Sequence, residues 1–102
     1  MDDEYLEIVA SAFEAGNSVN GIIKAYIIRN TNKDFGMYFG SLNKISKETN
    51  TSKSSVKKVI NSLRNNGLIK MYRDGVWMIH PIILFNCNCK KYKEFLSDYN
   101  SI

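Results

Sequence analysis

The sequence lacks the residue patterns that mark most enzymes and membrane-spanning proteins. It contains a single histidine, no G-x-x-x-x-G-K-[ST] or G-x-G-x-x-G phosphate loop, no H-E-x-x-H metal motif and no acid pair beside a plausible base. No apolar run approaches the roughly 20 residues that span a bilayer. We therefore expect a protein that is not an enzyme, uses no cofactor and makes no membrane contact.

Cysteine and proline are also scarce, with two cysteines and one proline in 102 residues. Cys87 and Cys89 lie in "NCNCK", where a disulfide across one intervening residue would be strained. With His80 they offer three soft ligands, but a fourth ligand and zinc-finger spacing are missing. We expect no metal site and interpret both cysteines as reduced and incidental, while a redox or metal role for these three residues stays open.

Positive charge is absent from the first 20 residues, which carry five acidic side chains. A secretory signal peptide would begin with basic residues, so we expect a cytoplasmic protein. Residues 41–73 have the opposite balance, with eight Lys or Arg against Glu48, in a chain of net charge +4. This asymmetry predicts that the second region faces a polyanion.

The length and the ordinary composition indicate one soluble domain over residues 1–102, with no linker, internal repeat or low-complexity segment. Helical spacing of apolar residues predicts a first helix that starts at Asp2 or Asp3 and a second that follows Ser18. The apolar face of this second helix is expected to hold Ile22, Ile23, Tyr26 and Ile27. The short apolar stretch "MYFG" at 37–40 predicts a small strand.

A helix-turn-helix is predicted next. Ser41 is a good N-cap for a short helix, "NTS" makes a tight turn, and Thr51 or Ser52 caps a longer helix. Apolar residues at i, i+3, i+4 and i+7 give that helix one buried stripe, formed by Val56, Val59, Ile60 and Leu63. Gly67 is well placed to end it in a left-handed conformation.

Beyond Gly67 the apolar period changes from 3.6 to 2, and "LIKMYR" and "VWMIH" flank "DG", a strong hairpin signal. Pro81 ends the second strand, and "KKYKEFLSDYN" predicts a final amphipathic helix. The fold class is therefore mainly α with a small β-hairpin wing at about 68–80, a winged helix-turn-helix. Tyr38, Phe39, Trp77 and Met78 are interpreted as core packing in preference to a platform for single-stranded nucleic acid.

The second helix of such a motif sets its polar face against the edges of bases in the DNA major groove. Small hydroxyls near its start let the backbone approach phosphate, lysines add cations, and asparagine suits the N6/N7 edge of adenine. The alternative is a basic face that only meets water. The predicted DNA-binding residues are Ser41, Lys44, Thr51, Ser52, Lys53, Ser54, Ser55, Lys57, Lys58, Asn61 and, near the tip of the wing, Lys70, Tyr72 and Arg73.

The helix pair "S-x-x-x-I-x-x-x-x-x-x-S-x-x-S-V-x-x-x-I-x-x-L-x-x-x-x-L-I" and a wing that ends in "G-V-W-M-I-H-P-I-I-L" resemble the winged-helix core of plasmid replication proteins of the RepL type. The resemblance covers roughly residues 18–85. It implies binding near a plasmid origin, and it gives the recognition role to Lys53, Ser54, Ser55, Lys57 and Lys58.

Three functions stay open at this point. The first is a double-stranded DNA-binding protein, sequence-specific, that acts in plasmid replication initiation or its control. The second is a small transcriptional repressor of a plasmid or phage, and the third is a winged-helix protein-interaction module that contacts its partner through the acidic first helix. We expect a homodimer, because two half-sites one turn apart multiply specificity, with replication or transcription machinery as further partners. The expected dimer contacts are Leu6, Val9, Phe13, Phe95, Leu96 and Tyr99.

Overall fold

Nine helices and strands occur in the part of the chain described by a computed structural model, residues 3–14, 18–32, 34–85 and 90–101, without the side chains of residues 3–6 and 14. They are α1 (Asp3–Glu14), α2 (Val19–Arg29), β1 (Met37–Phe39), α3 (Leu42–Thr49), α4 (Lys53–Asn65), β2 (Ile69–Arg73), β3 (Val76–Ile79), α5 (Pro81–Leu84) and α6 (Lys90–Asn100). The predicted fold class, mainly α with a small β wing, is confirmed.

Three helices begin at a serine that accepts a hydrogen bond from the backbone N–H three residues later, at 3.0–3.2 Å. These serines are Ser18, Ser41 and Ser52, which cap α2, α3 and α4. Such a cap satisfies one of the N–H groups that lack a partner in the first turn of a helix. The capping predicted for Ser41 is confirmed, and at α4 the cap is Ser52 rather than Thr51. Gly67 has φ +72°, as predicted for the residue that ends this helix.

The three strands form one antiparallel sheet in the order β1-β3-β2, so the central strand β3 pairs with both neighbours. Trp77 lies between Tyr38 of β1 and Met71 of β2. All four residues of β3 are buried, because its two faces are both covered. Tyr38 and Trp77 belong to the main core and Met78 is also buried, which confirms core packing for three of the four aromatic-platform candidates; Phe39 is 45% exposed.

The core lies between the sheet and the helices, and the apolar stripe of α4 is buried in it as predicted. The apolar face predicted for α2 is partly wrong. Ile23 and Ile27 are buried, but Ile22 is 36% exposed, and Ala25 and Ile28 are buried in addition. The face is rotated because α1 packs closely on α2 at Gly21, where a Cβ would lie 1.9 Å from the carbonyl oxygen of Phe13.

α5 is a four-residue helix that the sequence pattern does not predict, since it is too short to show a 3.6-residue period. His80 begins it: the imidazole Nδ1 accepts the N–H of Ile82 at 3.0 Å, and Pro81 occupies the first helical position. α6 returns across the outer face of the sheet. There the Tyr99 hydroxyl donates to the carbonyl oxygen of Gly67 at 2.8 Å, and the Tyr99 and His80 rings meet edge to face at 4.8 Å.

Candidate nucleic-acid interface

The turn between α3 and α4 is held by side-chain hydrogen bonds. Asn50 adopts the left-handed conformation with φ 54°, which reverses the chain after α3. The Ser46 hydroxyl donates to the carbonyl oxygen of Thr51, and the Thr49 and Thr51 hydroxyls lie 2.7 Å apart. Thr51 is half-buried, so the structure puts this predicted DNA contact inside the turn. The turn fixes the angle at which α4 leaves α3.

The start of α4 is uncovered and free of negative charge. Ser52 accepts the N–H of Ser55 at 3.1 Å and donates its hydroxyl proton to the Ser55 hydroxyl at 2.9 Å. No acidic residue occurs anywhere in α4. The N-terminal end of a helix carries a partial positive charge, and here nothing on the helix itself neutralises it. An anion can therefore approach this end without repulsion from the helix that carries it.

The face of α4 opposite the buried stripe is polar and exposed. Of the predicted contacts, Lys53, Ser54, Lys57, Lys58 and Asn61 lie on this exposed surface, and Ser55 is half-buried at its edge. A cationic surface with an amide in its centre suits a phosphate backbone and the bases between its two strands. The structure brings these five side chains together on one helix.

A cleft of about 320 Å³ separates α4 from the wing. Its α4 wall includes Lys57, Asn61 and Arg64, and its opposite wall includes Met71 and Trp77. The Arg64 guanidinium carbon lies 5.9 Å from the centroid of the Trp77 ring, within the range of a cation–π contact. Sequence reasoning did not select Arg64 as a contact, although its i+7 spacing from Lys57 puts the two residues on the same side of the helix.

Ser41 and Lys44 lie at the start of α3, and Ser41 borders this cleft. The Ser41 hydroxyl caps α3, whereas Lys44 is exposed and is not among the residues that line the cleft. Trp77 Nε1 is buried, and none of the described residues accepts its hydrogen. The α3 end, the α4 side and the wing therefore surround one depression, in which apolar side chains form much of the lining and polar ones the rest.

The wing presents fewer cations at its tip than the sequence predicts. Lys70 is half-buried, and its ammonium group donates to the carbonyl oxygen of Tyr99 at 3.0 Å and lies 4.4 Å from the centroid of that ring. Tyr72 occupies a β-bulge and lines a groove on the other side of the sheet. Arg73 alone of the three predicted wing contacts adjoins the turn. The placement of Lys70 near the tip is wrong, because α6 holds its side chain at the other end of the strand. Tyr72 is exposed next to Arg73, but on the face of the sheet opposite the α4 cleft.

The chain matches the family described as Firmicute plasmid replication protein (RepL) over residues 5–102. It belongs to the RepL family. The match extends past the 18–85 core to both terminal helices, and it confirms the resemblance found in the helix pair and the wing. This RepL-family chain is accordingly a plasmid replication protein. Comparisons with curated proteins and with solved structures give no match.

The terminal helices of the RepL-family chain serve its own core. Val9, Phe13 and Phe95 are half-buried and pack against that core, and Tyr99 is buried. Leu96 is half-buried, while the side chain of Leu6 lies outside the described residues. Most of the predicted dimer contacts are therefore already in use within one chain.

Cys87 and Cys89 lie outside the described residues. Among the residues that are described, no group of three or more His, Cys, Asp or Glu side chains is arranged to hold a metal ion. None of the helices in that part of the chain is long and apolar enough to cross a membrane.

Burial, followed by the charge of Lys70, lowers the pKa of His80, which favours the neutral imidazole that caps α5.

Proposed function

We propose that this RepL-family protein binds double-stranded DNA with sequence preference, in plasmid replication initiation or its control. One observation carries the proposal: α4 exposes lysine, serine and asparagine side chains on a face that has no carboxylate, with its positive end uncovered. A single helix fits the major groove, which is about 12 Å wide. The family assignment supports a DNA target, because plasmid replication acts on DNA.

The exposed side chains of α4 differ in length, and we assign them different contacts with DNA accordingly. Lys57 and Lys58 are long cations that can neutralise phosphates, which adds affinity but no sequence information. Asn61, one turn further, offers one donor and one acceptor to an adenine edge. Ser54 is short and lies in the first turn, where a small side chain lets the backbone come close to a phosphate.

Arg64 and Arg73 extend the proposed interface beyond α4. Arg64 lines the cleft toward the wing, and Arg73 is exposed beside the hairpin turn. A wing next to a recognition helix reaches the DNA backbone beside the major groove. We therefore assign both arginines to DNA phosphates on either side of that groove. Lys70 has no part in this interface, since its ammonium group is held against α6.

The test is fluorescence anisotropy with labelled duplexes of about 30 base pairs, roughly three helical turns. The duplexes tile the coding region and its flanks on the plasmid that carries the gene. Tight binding to one duplex over a scrambled copy is expected. If about six phosphates are neutralised, log affinity falls against log salt with a slope near −5.

Two double variants distinguish the loss of contacts at the proposed interface from a general loss of positive charge. Lys57→Ala with Lys58→Ala should weaken binding to every duplex and reduce the steepness of the salt slope by about 2, one for each lost phosphate contact. Lys90→Ala with Lys91→Ala removes the same charge from exposed positions on α6 and should leave both quantities nearly unchanged. Equal losses in the two double variants, or no binding to any duplex at low salt, would contradict the proposal.

A homodimer on DNA is part of the proposal. Two chains would set two α4 helices on half-sites about one turn apart, which multiplies the number of bases read. Because Tyr99 and Phe95 pack within one chain, we assign the interface to the exposed side of α1, where Ile8 is 62% exposed. Replication machinery remains the expected further partner.

A further inference from the structure

A second groove, of about 300 Å³, lies on the outer face of the sheet. Apolar side chains make up more than half of its lining, and the carboxylates of Asp34 and Asp98 and the side chain of Ser101 line the rest. The residues that line it include Phe35, Met37, Tyr72, Met78 and Phe95. We call this the outer groove.

The outer groove and the α4–wing cleft lie on opposite faces of the sheet. Met71 and Trp77 line the cleft, whereas Tyr72 and Met78, the next residue in each strand, line the outer groove. Successive side chains of a strand point to opposite faces, so the sheet separates the two depressions and no residue lines both. A molecule in the outer groove would leave α4 uncovered.

Phe35 is an exposed aromatic residue on a turn whose backbone is held by several hydrogen bonds. The Asn32 side-chain oxygen accepts the N–H groups of Asp34 and Phe35 at 2.9 and 3.1 Å, and the Gly36 N–H donates to the Asn32 carbonyl oxygen at 2.8 Å. The Ile79 N–H ties this turn to the sheet through the Gly36 carbonyl oxygen at 3.0 Å. Phe35 is nevertheless 61% exposed. The backbone order is already present before anything binds, which lowers the entropy cost of a contact.

The turn that carries Phe35 also packs against α6. Gly36 has φ +67°, and a Cβ there would lie 2.8 Å from Cδ2 of Phe95, so only glycine fits between the turn and α6. Phe95 in turn meets the Phe85 ring edge to face at 4.8 Å. Tyr72, on the other side of the groove, is 53% exposed. Two exposed aromatic rings thus flank a buried methionine.

The rim of the outer groove is acidic in a protein of net charge +4. Within the described residues, no hydrogen bond or ion pair engages the carboxylate of Asp34 or of Asp98, and no Lys or Arg lines the groove. Lys70 points to the same face of the sheet but donates to the Tyr99 carbonyl oxygen. DNA would be repelled here, whereas a cationic partner would be attracted.

We propose that the outer groove binds a segment of another protein, one that carries an aliphatic or aromatic side chain flanked by lysine or arginine. The apolar side chain would enter between Phe35 and Tyr72, and the basic residues would pair with Asp34 and Asp98. A second copy of this chain is a poorer fit, because its most basic exposed element is α4. Packing α4 into the groove of the next chain is a head-to-tail contact that continues without closing. This proposal does not depend on DNA binding.

The test begins with a phage-displayed library of random peptides of about 12 residues, which reach roughly 40 Å when extended. The library is panned on the immobilised protein and on its Phe35→Ala/Tyr72→Ala variant. Peptides retained only by the unchanged protein should share an apolar residue flanked by Lys or Arg. Isothermal titration of a synthetic copy of the most enriched peptide then gives its affinity.

Three further variants decide the outcome. Phe35→Ala, and separately Asp34→Asn with Asp98→Asn, should each weaken the peptide roughly tenfold or more, as expected for groups in the centre of an interface. Phe39→Ala removes a comparably exposed ring outside the groove and should have no effect. Thermal melts establish that each variant is folded.

Three results would overturn the proposal. The first is a library that yields no peptide dependent on Phe35 and Tyr72. The second is a bound peptide whose affinity is unchanged in Asp34→Asn/Asp98→Asn. The third is self-association of the unchanged protein, in sedimentation equilibrium, that disappears in Phe35→Ala/Tyr72→Ala, which would assign the groove to a second copy.

Discussion

Ser52 connects the fold to the proposed interface at the level of a single hydroxyl. Its oxygen closes the first turn of α4, and its proton engages Ser55, so both serines are occupied in shaping the helix end. Ser54, between them, is exposed and has no hydrogen bond among the described residues. All three serines are predicted DNA contacts, and Ser52 is also a predicted cap; the hydrogen bonds separate Ser52 and Ser55 from Ser54, whose hydroxyl remains available.

Ser52→Ala should lower the free energy of unfolding by about 1 kcal/mol, because the cap bond to the Ser55 N–H is lost. Urea unfolding at constant m-value measures this change. Ser54→Ala is the matched control and should stay within about 0.5 kcal/mol of the unchanged protein. An equal loss in both variants would mean that the cap does not hold α4.

His80 predicts a pH dependence of stability. Burial first, and then the charge of Lys70, lowers its folded-state pKa below the usual value near 6.5. At mildly acidic pH the unfolded state therefore binds more protons, so stability is present above that value and decreases as the pH falls through it. Protonation also removes the Nδ1 acceptor that receives the Ile82 N–H.

The thermal unfolding midpoint should therefore decrease as the pH is lowered from about 7.5 to about 5.5. This is the interval in which a histidine of ordinary pKa gains its proton. His80→Asn keeps a good helix cap but cannot titrate, and should flatten this dependence. Arg29 lowers the pKa of Glu7, so the contribution of Glu7 is lost only at more acidic pH. An unchanged slope in His80→Asn would show that another group titrates.

At the scale of elements, α4 and the wing have different proposed tasks. α4 offers an amide on its exposed face and is held by its apolar stripe, whereas the wing adds one arginine beside a tight turn. Direct contacts to base edges discriminate between sequences, but contacts to phosphates do not. Substitutions in the two elements should therefore change different measured quantities.

Asn61→Ala should reduce discrimination at one base pair of the site, by about 1–3 kcal/mol, while Arg73→Ala should weaken all duplexes alike and reduce the steepness of the salt slope by about 1. Competition anisotropy with a set of singly substituted duplexes measures both. Each variant serves as the control for the other. A uniform loss in Asn61→Ala would mean that this side chain contacts only the backbone.

Over the whole molecule, charge is segregated between the acidic beginning of the chain and the basic region of α3, α4 and the wing. An acidic α1 is repelled by a phosphate backbone, so it favours an orientation with α1 away from DNA. That orientation leaves α1 accessible to a second chain, and it leaves the outer groove accessible on the other face of the sheet.

Dimerisation should appear as two chains of 11.7 kDa on one duplex that carries two half-sites. Sedimentation equilibrium of the complex gives this mass. Lengthening the spacer by about half a helical turn should abolish simultaneous binding, since the second α4 would then face the wrong side of the duplex. One chain per duplex at saturation, with either spacer, would contradict the dimer.

Local signals along the chain were sufficient for most elements of the fold. The serines at the three caps, the apolar stripe of α4 and the "DG" turn are each set by residues a few positions apart, so their structures follow from short-range chemistry. α5 gave no such signal, because four residues do not establish a period. The exposure of Ile22 depends on the approach of α1 to Gly21, which no spacing within α2 records.

The family, the winged helix-turn-helix class and the position of the basic helix can all be read from the order and spacing of residues, because caps, turns and periodic stripes are local. The direction of individual side chains is not local. Lys70 is held against α6 and Tyr72 lines the outer groove. Arg64 meets Trp77 on the opposite face, because helices and strands distant in sequence pack on either face of the sheet. Tertiary packing therefore separates a cationic face, suited to DNA, from an acidic apolar groove suited to a protein.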